Sequence, residues 1–169
     1  MMPYTTRTGT GAVVASFGIA IVLTILPLPE WLRYLRPEWV TLMVIFWSLA
    51  VPGRINVGTG WLMGLVIDIL YGTLIGQHAL ALAVVSFITA RLHQQIRIYP
   101  MWQQALSVFT LVALNQLLVV WVKGIVGQPP KTWFYWVPSL TSALIWPWIY
   151  IFMREVQRRY KVMDERTGT

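Results

Sequence analysis

The sequence predicts an all-α, polytopic membrane protein built as a bundle of about six transmembrane helices. Of its 169 residues, 57% are hydrophobic and only 11% are charged, and the mean hydropathy is +0.62. A soluble domain usually carries about 25% charged residues, and a compact globule of this length could not bury so much apolar surface. The same hydrophobicity excludes an intrinsically disordered chain.

Apolar runs give the positions of the predicted spans, since a helix needs about 20 mostly apolar residues to cross a bilayer. They cover residues 11–28, 39–51, 57–75, 79–90, 101–122 and 133–153. The second and fourth runs are short and reach a full span only if their flanks join them. We expect the first run to be a retained helix, because no Ala-x-Ala cleavage site follows it and further spans do. Residues 1–153 therefore form one predicted transmembrane bundle, and residues 154–169 form a basic cytoplasmic tail.

Basic residues set the predicted orientation, because Lys and Arg in short loops favour the cytoplasm. Six spans place nine of them on the side of the two termini: Arg7, Arg54, Arg91, Arg97, Arg154, Arg158, Arg159, Lys161 and Arg166. The opposite side receives four: Arg33, Arg36, Lys123 and Lys131. Both termini are therefore predicted to be cytoplasmic. The net charge of +7 is then a topological signal that attracts anionic headgroups of the lipid bilayer, and we expect no nucleic-acid partner.

The third run carries the most informative pattern, a row of small residues with one acid at its centre. Gly60, Gly64, Asp68, Gly72 and Gly76 recur at intervals of four residues, and on a helix this spacing forms a slowly drifting ridge. Within lipid, such glycines let a second backbone approach closely. The first two glycines indicate either packing inside the bundle or an interface with a partner. The last two could instead mark a helix end and its turn.

Asp68 lies about 16 Å along the predicted third helix, near the middle of the bilayer. It is the one acidic residue within the predicted spans, and its insertion costs about 2.5–3.5 kcal/mol. We expect structural hydrogen bonding, with the buried amides Asn115 and Gln116 as its partners. A contact with a partner protein and proton or substrate chemistry are the alternatives. A proton relay would need a second titratable group, and the candidates, His78 and His93, lie at span ends.

The sequence contains no catalytic or metal-binding set of residues. It has no cysteine, no histidine inside a predicted span, and no second aspartate beside Asp68, which disfavours intramembrane serine and aspartyl proteases. His78 and His93 flank opposite ends of one span and cannot share a metal ion. We therefore expect neither an enzyme nor a cofactor. A small-molecule carrier stays open, since Pro138 and Pro147 could break the last span beside a polar pocket.

A long segment of the chain resembles a known family. Residues 36–82, RPEWVTLMVIFWSLAVPGRINVGTGWLMGLVIDILYGTLIGQHALAL, are similar to MreD, the rod shape-determining membrane protein family of bacteria, in its gammaproteobacterial type. The most specific part is the glycine–aspartate row with the Gln77–His78 pair that follows it. Residues 91–106, the pair Asn115–Gln116, and the Trp-rich last span before a basic tail agree with the same family.

The resemblance implies a non-enzymatic scaffold of the cell-elongation complex in the bacterial inner membrane. Its implied partners are the bitopic protein MreC, cytoplasmic MreB filaments, and the peptidoglycan synthase RodA with its penicillin-binding transpeptidase. It also implies a fold similar to the S components of energy-coupling-factor transporters, so a substrate-binding transporter subunit is the alternative function. It brings no catalytic or cofactor-binding residues. The basic residues of the tail would either anchor the chain on anionic lipid or contact MreB: Arg154, Arg158, Arg159 and Lys161.

Overall fold

The computed structural model describes residues 10–159, and every regular element within them is helical. The helices are α1 (Thr10–Ile25), α2 (Glu30–Arg33), α3 (Trp39–Ala50), α4 (Val57–Tyr71), α5 (Gln77–Arg91), α6 (His93–Ile98), α7 (Met101–Val126) and α8 (Val137–Arg159). A short 3₁₀ helix, Trp133–Trp136, leads into α8. The all-α prediction is confirmed. The tail residues after Arg159, with Lys161 among them, lie outside the described residues.

Two segments of the described chain are long and apolar enough to cross a bilayer, Met101–Val126 and Trp133–Arg159. Three further apolar helices, Gly11–Ile25, Trp39–Ala50 and Val57–Tyr71, are shorter. The 12 residues of α3 extend about 18 Å, against a bilayer core of about 30 Å. Each of the six predicted runs overlaps one of the longer helices, but the count of six spans stays a prediction.

Helix α3 forms the centre of the bundle. Ten consecutive residues of this helix, from Val40 to Leu49, are buried, as expected for a helix that is apolar on every side. It packs against α1, α5, α6, α7 and α8. Two buried indoles in this core are paired, since Trp47 Nε1 donates to Ser16 Oγ at 2.8 Å and Trp146 Nε1 donates to Gln104 Oε1 at 2.9 Å. The core is thus built around one helix that is too short to cross a bilayer alone.

Helix α4 ends earlier than the apolar run predicts, at Tyr71 rather than at residue 75. Gly72 adopts a left-handed conformation with φ 64°. The Thr73 N–H donates to the Asp68 carbonyl at 3.1 Å, and the Gly72 N–H donates to the Ile69 carbonyl. These two bonds are those of a Schellman motif, which terminates a helix. Because side chains disfavour this conformation, Gly72 is the physical reason for the early end.

Gly60 and Gly64 bring α4 against α5, the helix with which α4 packs most extensively. A Cβ atom added to Gly64 would lie 2.2 Å from Ala79 Cα and 2.4 Å from its backbone nitrogen. One added to Gly60 would lie 2.6 Å from the carbonyl oxygen of Leu82. Both positions therefore exclude any side chain. The close approach joins two helices of the same chain, which is the internal-packing interpretation of the ridge.

Replacing Gly64 by alanine should destabilise the bundle, because the added methyl group meets backbone atoms of α5 that cannot turn aside. We expect the free energy of unfolding to fall by about 1–3 kcal/mol, the usual cost of overpacking. Thermal unfolding of the purified chain in detergent, followed by circular dichroism, measures the change.

Gly58→Ala is the matched control on the same helix. A Cβ atom at Gly58 meets nothing within 4 Å, and alanine forms helix better than glycine by about 1 kcal/mol. The melting temperature of Gly58→Ala should therefore stay the same or rise. Equal melting temperatures for Gly64→Ala and Gly58→Ala would contradict the close contact.

Candidate functional site

A polar region lies at the end of the bundle where α1 and α4 end and α3 and α5 begin. Residues from all four of these ends line one cavity of about 570 Å³, together with Asn115 of α7 and Pro138 of α8. Two carboxylates belong to this region. Asp68 comes from the last turn of α4, and Glu38 immediately precedes α3. The sequence pattern singled out Asp68, but it did not single out Glu38.

Asp68 is fully buried and binds the start of α5. Its carboxylate accepts hydrogen bonds from the backbone N–H groups of Gly76 at 2.9 Å, His78 at 3.0 Å and Ala79 at 3.4 Å. Thr73 Oγ1 donates at 3.0 Å, and Nδ1 of His78 lies 2.7 Å from Oδ1. The first N–H groups of a helix have no partner inside that helix, and negative charge is favourable there. Asp68 therefore caps α5 from a neighbouring helix.

The expected hydrogen bonds from Asn115 and Gln116 to Asp68 do not form, so that prediction is wrong. Both amides are buried in α7. The side-chain nitrogen of Asn115 donates to Glu38 Oε2 at 2.9 Å, and that of Gln116 donates to the Tyr135 carbonyl at 2.9 Å. The reason is the early end of α4, which puts Asp68 three residues from a turn. The turn then returns the start of α5 to the carboxylate.

His78 is the partner that the sequence argument placed too far away. With α4 extended to residue 75, a histidine three residues later would lie well beyond Asp68. The actual turn folds it back onto the carboxylate, ten positions along the chain. The sequence signal was available in Gly76–Gln77–His78, because glycine followed by a new apolar run indicates a helix start. His93 lies elsewhere, with Nδ1 at 2.6 Å from the Ala90 carbonyl.

Glu38 is the second structural carboxylate, and the sequence pattern did not single it out. Its Oε2 accepts hydrogen bonds from Thr41 Oγ1 and from Asn115, each at 2.9 Å. Its backbone N–H donates to Ser142 Oγ at 3.0 Å. One residue thus connects the start of α3 to α7 and α8. A carboxylate just before an apolar helix is a helix-start signal, so the pattern Pro37–Glu38–Trp39 could have revealed it.

Arg36 supplies the positive charge of the cavity wall. Two of its guanidinium nitrogens donate to the carbonyl oxygens of Thr24 and Leu26, at the end of α1. These carbonyls lack helical partners and favour a cation. Its Nε is buried and makes no hydrogen bond within the described residues, and the same holds for Oδ1 of Asn115. Both residues line the cavity, and each keeps one polar atom without a partner in the described residues.

The basic end of α8 lies outside this region. Arg158 and Arg159 both pair with Glu155, the latter at 3.0 Å from Nε to Oε1. The side chains of the two arginines are 79% and 75% exposed, and such surface pairs contribute about 0–1 kcal/mol. The guanidinium carbon of Arg154 lies 5.8 Å from the centre of the Tyr150 ring. These residues form an exposed basic surface rather than a packed one.

Comparison with known proteins identifies the family. The family model described as "rod shape-determining protein MreD" matches residues 5–156, nearly the whole chain. The chain belongs to the MreD family. The rod shape-determining protein MreD of Haemophilus influenzae is 31% identical over 150 residues, which cover 89% of this chain and 93% of that protein. No solved structure matches the chain. MreD membership gives a role in cell shape, and the apolar helices agree with a membrane protein.

Among residues 10–159, no group of three His, Asp or Glu side chains could hold a metal ion. The two buried carboxylates instead make hydrogen bonds that join helices. The geometry of this region therefore supports architecture and binding.

Asp68→Asn should destabilise the fold strongly, because an amide keeps one acceptor oxygen and turns an NH₂ group toward the donors of α5. Hydrogen bonds to a charged group contribute about 1.5–3 kcal/mol, so we expect the free energy of unfolding to fall by about 3 kcal/mol. Unfolding of the purified chain in detergent measures it.

Thr73→Val provides the comparison, since it removes one donor and leaves the carboxylate with its remaining partners. Its expected cost is about 1 kcal/mol. If Asp68→Asn were no less stable than Thr73→Val, the capping of α5 by the carboxylate would not matter to stability.

Proposed function

We propose that this MreD-family chain is a non-enzymatic scaffold of the cell-elongation complex. Its membrane domain binds the bitopic protein MreC, and it links MreB filaments to peptidoglycan synthesis by RodA and its penicillin-binding transpeptidase. The observation that carries the proposal is the family match over residues 5–156. The use of Asp68 and Glu38 supports it, because both carboxylates hold helices together.

The proposed architecture has six spans in the inner membrane with both termini in the cytoplasm. Its support is lateral packing: α5 packs against α7, and α3 packs against both α7 and α8, which are the two span-length helices. Helix α1 packs on α3, and α4 packs on α5. The shorter helices also expose large apolar side chains, such as Ile19 at 62%, Ile69 at 69% and Phe87 at 50%. Side chains of this kind suit contact with lipid.

Co-purification with MreC tests the scaffold. Affinity-tagged chain extracted from membranes in mild detergent should recover MreC, and depletion of the chain should round the cells. Another multi-pass inner-membrane protein with the same tag and expression level is the control. The scaffold would be refuted by recovery of MreC no higher than in this control, together with rods that persist after depletion.

Substitutions in the basic tail distinguish two possible partners of the tail, anionic lipid and MreB. Substituting Gln for Arg158, Arg159 and Lys161 should weaken attraction to anionic lipid by roughly 1 kcal/mol per residue. Since the two described arginines are exposed and pair only with Glu155 within residues 10–159, we expect a lipid anchor. Rod shape and recovery of MreB in pull-downs should therefore remain normal.

Two measurements keep the tail experiment interpretable. Reporter fusions after residue 160 and within residues 127–131 should give cytoplasmic and periplasmic signals, respectively, in both the native chain and the variant. Arg91→Gln, predicted on the same side of the membrane, is the matched control. Loss of MreB from the triple variant alone, with intact topology and intact MreC binding, would assign the tail to an MreB contact instead.

A further inference from the structure

An apolar groove runs along the outside of the bundle between α1 and α8, over the start of α3. It encloses about 550 Å³ and is lined almost wholly by apolar side chains, including Ala15, Leu23, Met43 and Ile149. Helices α1 and α8 each pack on α3, and the groove is the space that this arrangement leaves between them. The groove faces the surroundings of the bundle rather than its core.

The groove and the polar cavity are adjacent. The indole of Trp39 lines both. Along α1, the groove is lined by residues from Gly11 to Leu23, and the cavity begins at the next residue, Thr24. An apolar groove therefore lies next to a polar, positively charged cavity. An amphiphilic ligand has the same two parts, an apolar tail and a charged head.

The length of the groove matches one leaflet of a bilayer. The 12 residue steps from Gly11 to Leu23 correspond to about 18 Å along the helix axis. Half of a bilayer core of about 30 Å is roughly 15 Å. An acyl chain that enters at the cavity could follow the groove through its whole leaflet. A soluble ligand would leave this apolar length uncovered.

The charged end of the cavity suits a phosphate. Arg36 is fixed by the end of α1 and keeps a buried Nε–H without a partner in the described residues. Arg33, on α2, is exposed, and no hydrogen bond or ion pair is found for its guanidinium within residues 10–159. Guanidinium groups match phosphate geometry and remain charged. The one carboxylate in the wall, Glu38, is already held by Thr41 and Asn115.

We propose that the cavity and the groove together bind one phospholipid. Its phosphate lies at Arg33 and Arg36, and one acyl chain lies between α1 and α8 beside Ala15. The inference is independent of the scaffold proposal, since it rests on the charges and shape of this surface. Phosphate chemistry alone would also admit a small soluble phosphate, and the adjacent apolar groove favours the lipid.

Native mass spectrometry of the full chain in detergent tests the proposal with three probes. Phosphatidylglycerol carries both phosphate and acyl chains, diacylglycerol carries only the chains, and glycerol phosphate carries only the phosphate. We expect one saturable phosphatidylglycerol per chain, with both partial probes at least about tenfold weaker. Arg33→Gln should weaken phosphatidylglycerol binding about tenfold, because it removes a charged contact to phosphate. Ala15→Phe, which fills the groove, should lose most of the binding.

Matched controls separate specific binding from general effects. Arg91→Gln removes an exposed arginine at the opposite end of α5, and Val14→Phe adds the same ring on another face of α1, where Val14 is 64% exposed. Both should bind phosphatidylglycerol within about twofold of the native chain, a difference well under 1.4 kcal/mol. Melting temperatures by circular dichroism show that all four variants fold.

Three outcomes would overturn the proposal. Equal losses of phosphatidylglycerol binding in Arg33→Gln and Arg91→Gln would mean that lipid is attracted to any exposed cation without specificity. Tight binding of glycerol phosphate that is indifferent to Ala15→Phe would assign the cavity to a soluble ligand, as in a carrier. If Ala15→Phe left lipid binding intact but shifted the mass of the complex or removed MreC, the groove would belong to a second copy or to a partner helix.

Discussion

The capping of α5 by the Asp68 carboxylate is the interaction on which the rest of this fold depends. A helix that begins inside a bundle presents backbone N–H groups that water cannot reach, and in an apolar setting each unpaired group costs several kcal/mol. Asp68 accepts from three of these groups at once. The same contact fixes the direction in which α5 leaves the turn. Only with that direction set can Gly64 approach the α5 backbone as closely as it does.

Glu38 acts differently at the start of α3, because its carboxylate accepts from the side chains of Thr41 and Asn115 and makes no capping bond to the helix backbone. Asp68 joins neighbours in sequence, whereas Glu38 joins α3 to Asn115, 77 positions along the chain, and its backbone binds Ser142, 104 positions away. Buried charges usually indicate chemistry in a membrane protein. Here Asp68 and Glu38 both have hydrogen-bond partners that join helices.

The apolar runs located the six longer helices but missed the short helices α2 and α6 and the polar partners, and Gly72 explains the error at Asp68. Hydrophobic runs predict where helices lie because apolar burial follows composition directly. A run of apolar residues does not show where the backbone turns, and the left-handed Gly72 lies inside one. Moving the end of α4 from residue 75 to Tyr71 changes the partner of Asp68 from an amide of α7 to the start of α5. The hydrogen bond between Glu38 and Asn115 could not be predicted from the sequence, since no local pattern joins residues so far apart.

The end of α1 lies beside both the polar cavity and the apolar groove. Helix α1 packs chiefly on α3, and the guanidinium of Arg36 binds the carbonyls of Thr24 and Leu26 at its end. Arg36 therefore ties the end of α1 to the wall of the polar cavity. A phosphate bound there would add a partner to the residue that binds the end of α1, without competing for the carbonyls. A phosphate in the cavity and the end of α1 beside the groove would thus share one side chain as their contact.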